Sequence, residues 1–249
     1  MKAPFRRRPM PAATAERNWL ARLFERIELV PDQVSRLAAW QALPAANLAL
    51  PFDQARYVVV DVETTGLDLR RDRLIALGAV AVHHGRIHLA DSFDIVLRQR
   101  EASGKDNILV HGIGGERQRE GFEPAEALLR FLDYLGSSPL VAFHVAFDET
   151  MIRRACKTYL GFDFRHPWLD LAYVMPSLLP ELARSHRALD HWTRHFGIGN
   201  YARHNALADA LATAQLFLSA LPLARAHKLS GYWDLQAQAK AQRWLGAST

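Results

Sequence analysis

At 249 residues, with 49% apolar and 23% charged side chains, the chain has an ordinary globular composition and length enough to bury one sizeable core. Its single cysteine, Cys156, excludes an intrachain disulfide framework and a cysteine-rich zinc site and fits a reducing cytoplasm. A formal net charge of +5 and a pI near 9.6 favour an anionic partner, nucleic acid before membrane. No apolar run reads as long enough to cross a bilayer, and "MKAPFRRRPM" has the arginines but not the apolar stretch of a secretory signal.

In chain order, residues 1–50 read as a basic arm followed by a helical N-terminal extension. "AERNWLARLFERIEL" sets Trp19, Leu20, Leu23, Phe24 and Ile27 at helical spacing, and "PDQVSRLAAWQAL" opens with Pro31 and Asp32, a plausible first turn. Such amphipathic helices pack on the main domain or dock a partner protein. Residues 51–225 form the principal domain. Its first three strands are "RYVVVDVE", "DRLIALGAVAVHHG" and "RIHLADSFDIVLR", the last two joined by a tight turn at His84-Gly85-Arg86, which predicts an antiparallel meander. Helical and short apolar segments then alternate. "EPAEALLRFLDYLG" predicts a helix and "SPLVAFH" a buried strand ending at His144. "AFDETMIRRACKTYL" predicts a helix starting near Asp148, "HPWLDLAYV" a short strand or the start of a helix, and "HNALADALATAQLFLSAL" a long helix. A meander followed by alternation implies an α/β fold with a mixed sheet flanked by helices. Residues 226–249 read as a tail that closes with one more helix.

The acidic residues stand at element ends. Asp61 and Glu63 are two apart in the first strand and therefore share a face at its C-terminal end. Like charges repel and burial penalises both, so the pair needs something positive nearby. Paired carboxylates are the oxygen donors that magnesium and manganese prefer, although two solvated acids at a strand end are the simpler alternative. Asp148 follows the apolar run "LVAF" at a strand-to-helix junction, where capping the helix is its competing role. Asp209 lies in a helix whose Ala206, Ala210 and Ala214, with Leu211 and Phe217, suggest close packing on the sheet, and an aspartate there requires a partner. His204, five residues earlier, overlooks the same end of that helix.

"DVETTG" from Asp61, "VHGI" from Val110, "HVAFD" from His144 and "HNALADA" from His204 occur in this order, and on them the chain resembles the DnaQ-like, or DEDDh, 3′–5′ exonucleases, the family of the proofreading epsilon subunits of bacterial DNA polymerase III. The likeness runs from about Arg56 to Ala220. It implies an RNase H-like fold, a five-stranded mixed sheet between helices. It also implies that Asp61, Glu63 and Asp209, with Asp148 directly or through water, hold two Mg²⁺ or Mn²⁺ ions, and that His204 is the general base. The clustered acids become tolerable beside such ions, and an imidazole with an unperturbed pKa of about 6.5 suits proton abstraction near neutral pH.

The resemblance further implies that Thr64 and Thr65 meet the terminal nucleotide, that Leu67 wedges against its base, that Phe147 borders it, and that His111 approaches its sugar or phosphate. Ordinary packing is the alternative for Leu67 and Phe147. Val145 stands where the family commonly has asparagine, and "GIGGERQRE" departs from the usual continuation after His111.

The expected activity is two-metal release of nucleoside 5′-monophosphates from single-stranded or frayed 3′ ends, DNA being favoured, in replication or repair. An RNA-trimming enzyme of the same family and a non-catalytic nucleic-acid-binding or polymerase-accessory protein are the alternatives. A DNA polymerase subunit is the expected protein partner, reached through the N-terminal helices, with no membrane involved.

Overall fold

The computed structural model of the protein describes residues 29–200 and 202–247. The segment 15–27, expected to be helical, lies outside the described residues.

Strand β1 (Arg56–Thr64), with Tyr57, three consecutive valines and Val62, is buried along almost its whole length. It pairs antiparallel with β2 (Leu74–His83), which pairs antiparallel with β3 (Arg86–Val96). The β2–β3 turn is two residues long, and its His84 and Gly85 both have positive φ (53° and 66°), the geometry that matches strand twist in a tight hairpin. Strands β4 (Leu140–Ala142) and β5 (Trp168–Asp170) add in parallel on the other side of β1, giving the order β3-β2-β1-β4-β5. This is the meander-then-alternation predicted from sequence. The expected strand over "SPLVAFH" is shorter than anticipated, ending at Ala142 rather than His144.

Helices cover both faces. On one, Val58, Val60 and Val62 of β1 form a core with α4 (Pro124–Leu135) and α5 (Val145–Tyr159). Before these in the chain come α1 (Pro31–Gln41) and the short α2 (Lys105–His111) and α3 (Gly115–Arg119). Helix α1 packs on α4: Arg36 bridges Glu126 (2.8 Å) and Asp133 (2.6 Å), and the Trp40 indole donates to the Gly136 carbonyl (3.0 Å). This part of the N-terminal extension therefore joins the main domain.

On the opposite face, Tyr57 and Val59 of β1 meet α6 (Leu171–Leu178), α8 (Ala206–Ala226) and α9 (Tyr232–Ala247). The short α7 (Leu189–His195) lies beside α8. Helix α9 sends Tyr232, Leu235 and Ala239 into this core, so the predicted tail helix is part of the packed domain.

Helix α8 is long and apolar enough to span a bilayer by composition, contrary to the sequence expectation that no run is. It is instead a core helix, with Ala210, Ala214, Phe217 and Ala220 fully buried. Its fit to the sheet depends on Gly78 of β2. A Cβ there would lie 2.1 Å from the Leu207 backbone nitrogen and 2.2 Å from the Ala206 carbonyl carbon. Gly78 sits directly opposite Asp61 across the β1–β2 ladder, so the missing side chain lets the start of α8 settle onto the face that carries the acids.

Candidate active site

Acids from three segments, β1, α5 and α8, converge at the C-terminal end of β1. Asp61 and Glu63 project from one face of the strand, and a register irregularity at Glu63/Thr64 breaks the ladder just beyond them, a device that re-aims side chains at a sheet end. Asp209 comes down from the first turn of α8, which Asn205 caps by accepting from the Ala208 amide (3.1 Å). One carboxylate oxygen from each of Asp61, Glu63 and Asp209 lies within 4.8 Å of the others.

Asp148 lines the same cavity from α5 and is buried (5% exposed). The helix begins at Val145, so Asp148 sits inside its first turn rather than at its cap, contrary to the capping alternative. The cap position is His144, in a left-handed conformation (φ 68°), and Asp170 at the end of β5 accepts from both the His144 (3.0 Å) and Val145 (3.1 Å) amides. The same carboxylate accepts from the Ala172 amide (3.0 Å) at the start of α6. Asp170 thus ties two helix starts to one strand end and fixes the turn that presents Asp148.

The electrostatics are those of acids held together against their preference. Burial, then the charges of Asp148, Asp209 and Glu63, holds the Asp61 carboxyl well above the ordinary carboxylate range. Burial and Asp209 push Glu63 up to about 8. Asp148 is also raised well above the usual value, chiefly by burial. A site that gathers several carboxyls of reluctant charge is matched to a hard cation with oxygen ligands, so the residues fit a magnesium or manganese centre.

The cavity around the acids has a volume of about 610 Å³. Thr64, Leu67 and Phe147 line it, as do Gly66, Asn107, Val110, Phe143, Arg203 and His204. Leu67 is 84% exposed at the rim, which is not how a packing leucine sits, whereas Phe147 is half-buried and also touches the core. His204 precedes α8 in a left-handed conformation (φ 61°), its amide donating to Asp209 Oδ2 (2.8 Å), with an exposed side chain at the cavity.

Two expected substrate contacts fall elsewhere. His111 is buried outside the cavity wall, its Nδ1 accepting from the Ile113 amide (2.9 Å) and its Nε2 3.3 Å from the Ser103 hydroxyl, so it braces the segment 103–113. The Thr65 hydroxyl donates to Asp72 Oδ1 (2.7 Å) and accepts from the Arg73 amide (2.9 Å), closing the loop after β1. Val145 is buried in the first core and does not line the cavity, so the departure at that position leaves the cavity wall unchanged.

Sequence reasoning missed Asn107 and Arg203. The Asn107 amide donates to the Thr64 carbonyl (2.7 Å), fastening α2 to the end of β1. Arg203 Nη1 donates to Asp209 Oδ1 (2.5 Å). The arginine adjoins a noticed motif, whereas nothing near Asn107 marks it.

The sheet order, the helices on both faces and the acids at the end of β1 define an RNase H-like α/β fold with a nuclease-type site. The family described as Exonuclease, of RNase T type, matches residues 58–217, and the chain belongs to it. Among relatives, a PolC-type DNA polymerase III of Thermotoga petrophila is 34% identical over 167 residues, 67% of this chain but 12% of that protein. A DNA polymerase III subunit epsilon-like protein of Rhodobacter capsulatus is 32% identical over 73% of this chain and 26% of its own length. The DNA polymerase III subunit epsilon of Aquifex aeolicus is 29% identical over 66% of this chain and 80% of its own length. Exonuclease I of E. coli, solved in complex with a dT13 oligonucleotide, superposes with a TM-score of 0.58 at 18% identity, covering 69% of this chain and 42% of that one, a likeness of fold.

Proposed function

We propose that the protein is a metal-dependent 3′–5′ exonuclease that releases nucleoside 5′-monophosphates from single-stranded or frayed DNA ends. The observation that carries this reading is the convergence of Asp61, Glu63 and Asp209 within 4.8 Å at the floor of an open cavity that His204 also lines. In this reading Asp61, Glu63 and Asp209, with Asp148 directly or through water, hold two Mg²⁺ or Mn²⁺ ions. Bound divalent ions would supply Lewis-acid stabilisation of the phosphoryl oxygens and a water that ionises near neutral pH.

The chain's own groups do the rest. His204 takes the proton of the attacking water. Leu67 and Phe147 hold the terminal base, and the Thr64 backbone, fixed by Asn107, positions its sugar. A base-tolerant apolar clamp suits an enzyme that trims ends without reading sequence. The DNA preference and association with a polymerase through the N-terminal extension are supported by what the relatives are named, and a cytoplasmic location goes with them.

The test sets 5′-labelled single-stranded DNA, duplex DNA with a 3′ mismatch and RNA side by side with magnesium, manganese or chelator. A ladder shortening from the 3′ end, fastest on DNA, is expected. Faster trimming of RNA would reassign the substrate, and no cleavage by folded, metal-binding protein would favour an accessory role. His204→Ala is expected to keep metal and DNA affinity while losing most of the single-turnover rate.

A further inference from the structure

The aspartate at the start of α8 is already engaged by protein donors. Asp209 is buried (3% exposed), and its Oδ1 accepts from Asn200 Nδ2 (2.5 Å) and Arg203 Nη1 (2.5 Å) while Oδ2 accepts from the His204 amide (2.8 Å). The turn is closed further by the Ala202 amide donating to Asn200 Oδ1 (3.3 Å). The arginine spans two acids: its Nε lies 2.9 Å from Asp190 Oδ1 on α7, and its side chain, 36% exposed, is part of the cavity wall. Its charge also reaches Asp61 and Glu63, the other two acids of the cluster. A guanidinium on one carboxylate and within the field of two more is a cation at the place where the site needs one.

We propose that Arg203 is a built-in competitor for the metal. In the ion-free protein its guanidinium neutralises Asp209 and holds the acids together, and it withdraws toward Asp190 when a divalent cation takes over. Asp190 gives it a place to go without leaving the cavity wall, since the Nε contact does not involve Asp209. Arg203 acts through Asp209 and is a positioning residue in this account. The inference rests on the metal reading of the acidic cluster.

The test is Mn²⁺ binding to the full chain by calorimetry, for the unsubstituted protein, Arg203→Gln, Arg203→Lys and Asp61→Ala, with melting curves in chelator and in saturating Mn²⁺. Arg203→Gln is expected to bind Mn²⁺ roughly tenfold more tightly, the scale of removing one partly screened positive charge close to the ion. It should melt below the unsubstituted protein in chelator, and saturating Mn²⁺ should close that gap. Arg203→Lys keeps the charge but not the planar fork, so its gain should be smaller, and it carries the test should the glutamine variant fail to fold. A purely structural arginine would lower both melting points alike and leave Mn²⁺ affinity unchanged or weaker, which would overturn the proposal. An arginine that serves only substrate phosphate would raise KM with Mn²⁺ affinity unmoved, with the same consequence. Unsubstituted protein that binds no more Mn²⁺ than Asp61→Ala would instead remove the metal reading itself.

Discussion

Replacing Gly78 by alanine tests how the fold builds the site. The added Cβ would stand 2.1 Å from the Leu207 nitrogen and 2.5 Å from the Ala206 carbonyl oxygen, both backbone atoms that no rotamer change can move. Ordinary contact is about 3.5 Å, so the first turn of α8 must retreat by ~1.4 Å or β2 must bow away from it. Overpacking of this kind costs roughly 1–3 kcal/mol, and obstruction by backbone rather than by a movable side chain puts Gly78→Ala at about 3 kcal/mol. For a domain of this size that is a melting point lower by ~6–12 °C. Because Asp209 rides on the displaced turn and Asp61 lies opposite Gly78, turnover should also fall, by about a hundredfold for a displacement near 1 Å. The assay pairs melting curves with single-turnover nucleotide release, and Gly104→Ala, where a Cβ meets nothing within 4 Å, is the control. A Gly78→Ala protein that melts and turns over like its parent would refute the close approach of α8 to the sheet.

Two further outcomes follow from the same geometry. Folded Glu63 keeps its proton up to about 8 whereas the unfolded chain releases it near 4.5, so this group's contribution favours folding at low pH and is lost as pH rises between those values. At ~1.4 kcal/mol per pH unit the swing reaches up to about 5 kcal/mol. In chelator, the unsubstituted protein should therefore lose stability relative to Glu63→Gln as pH rises from about 4.5 to 8, and a difference that stays flat would contradict the buried-acid account. Asp170→Ala leaves the His144, Val145 and Ala172 amides without their acceptor, and at about 1–2 kcal/mol per lost cap should cost ~2–4 kcal/mol in urea unfolding. It should also slow turnover by loosening the turn before Asp148, and a silent substitution would show that this turn holds itself.

Much of this was legible because period and chemistry agree along β1. Valines alternate between the two cores, so Asp61 and Glu63 had to share a face and a strand end, and the alanine spacing of "HNALADALATAQLF" put Asp209 on the buried side of its helix. The short helices α2, α3 and α7 escaped notice because they bury few side chains: Leu109 and Val110 on α2 are 82% and 52% exposed and give no periodic stripe. Arg203 and Asn107 act through contacts that only the folded chain creates, Asn107 across 43 residues to Thr64. The motif around His111 suggested the cavity, but the fold places the residue off the cavity wall with its ring nitrogens taken up by Ser103 and Ile113. Gly78 carried a readable signal, since glycine inside a strand marks a close backbone approach.

The most direct test of the central claim is single-turnover release of nucleoside 5′-monophosphate from a 5′-labelled DNA strand in Mg²⁺, with Asp61→Ala and a chelator control run alongside. The account predicts shortening from the 3′ end, abolished by chelator and reduced about a thousandfold or more in Asp61→Ala, ~4 kcal/mol of lost transition-state stabilisation. Cleavage that survives both would contradict it, because the carboxylates at the end of β1 would then have no part in the chemistry.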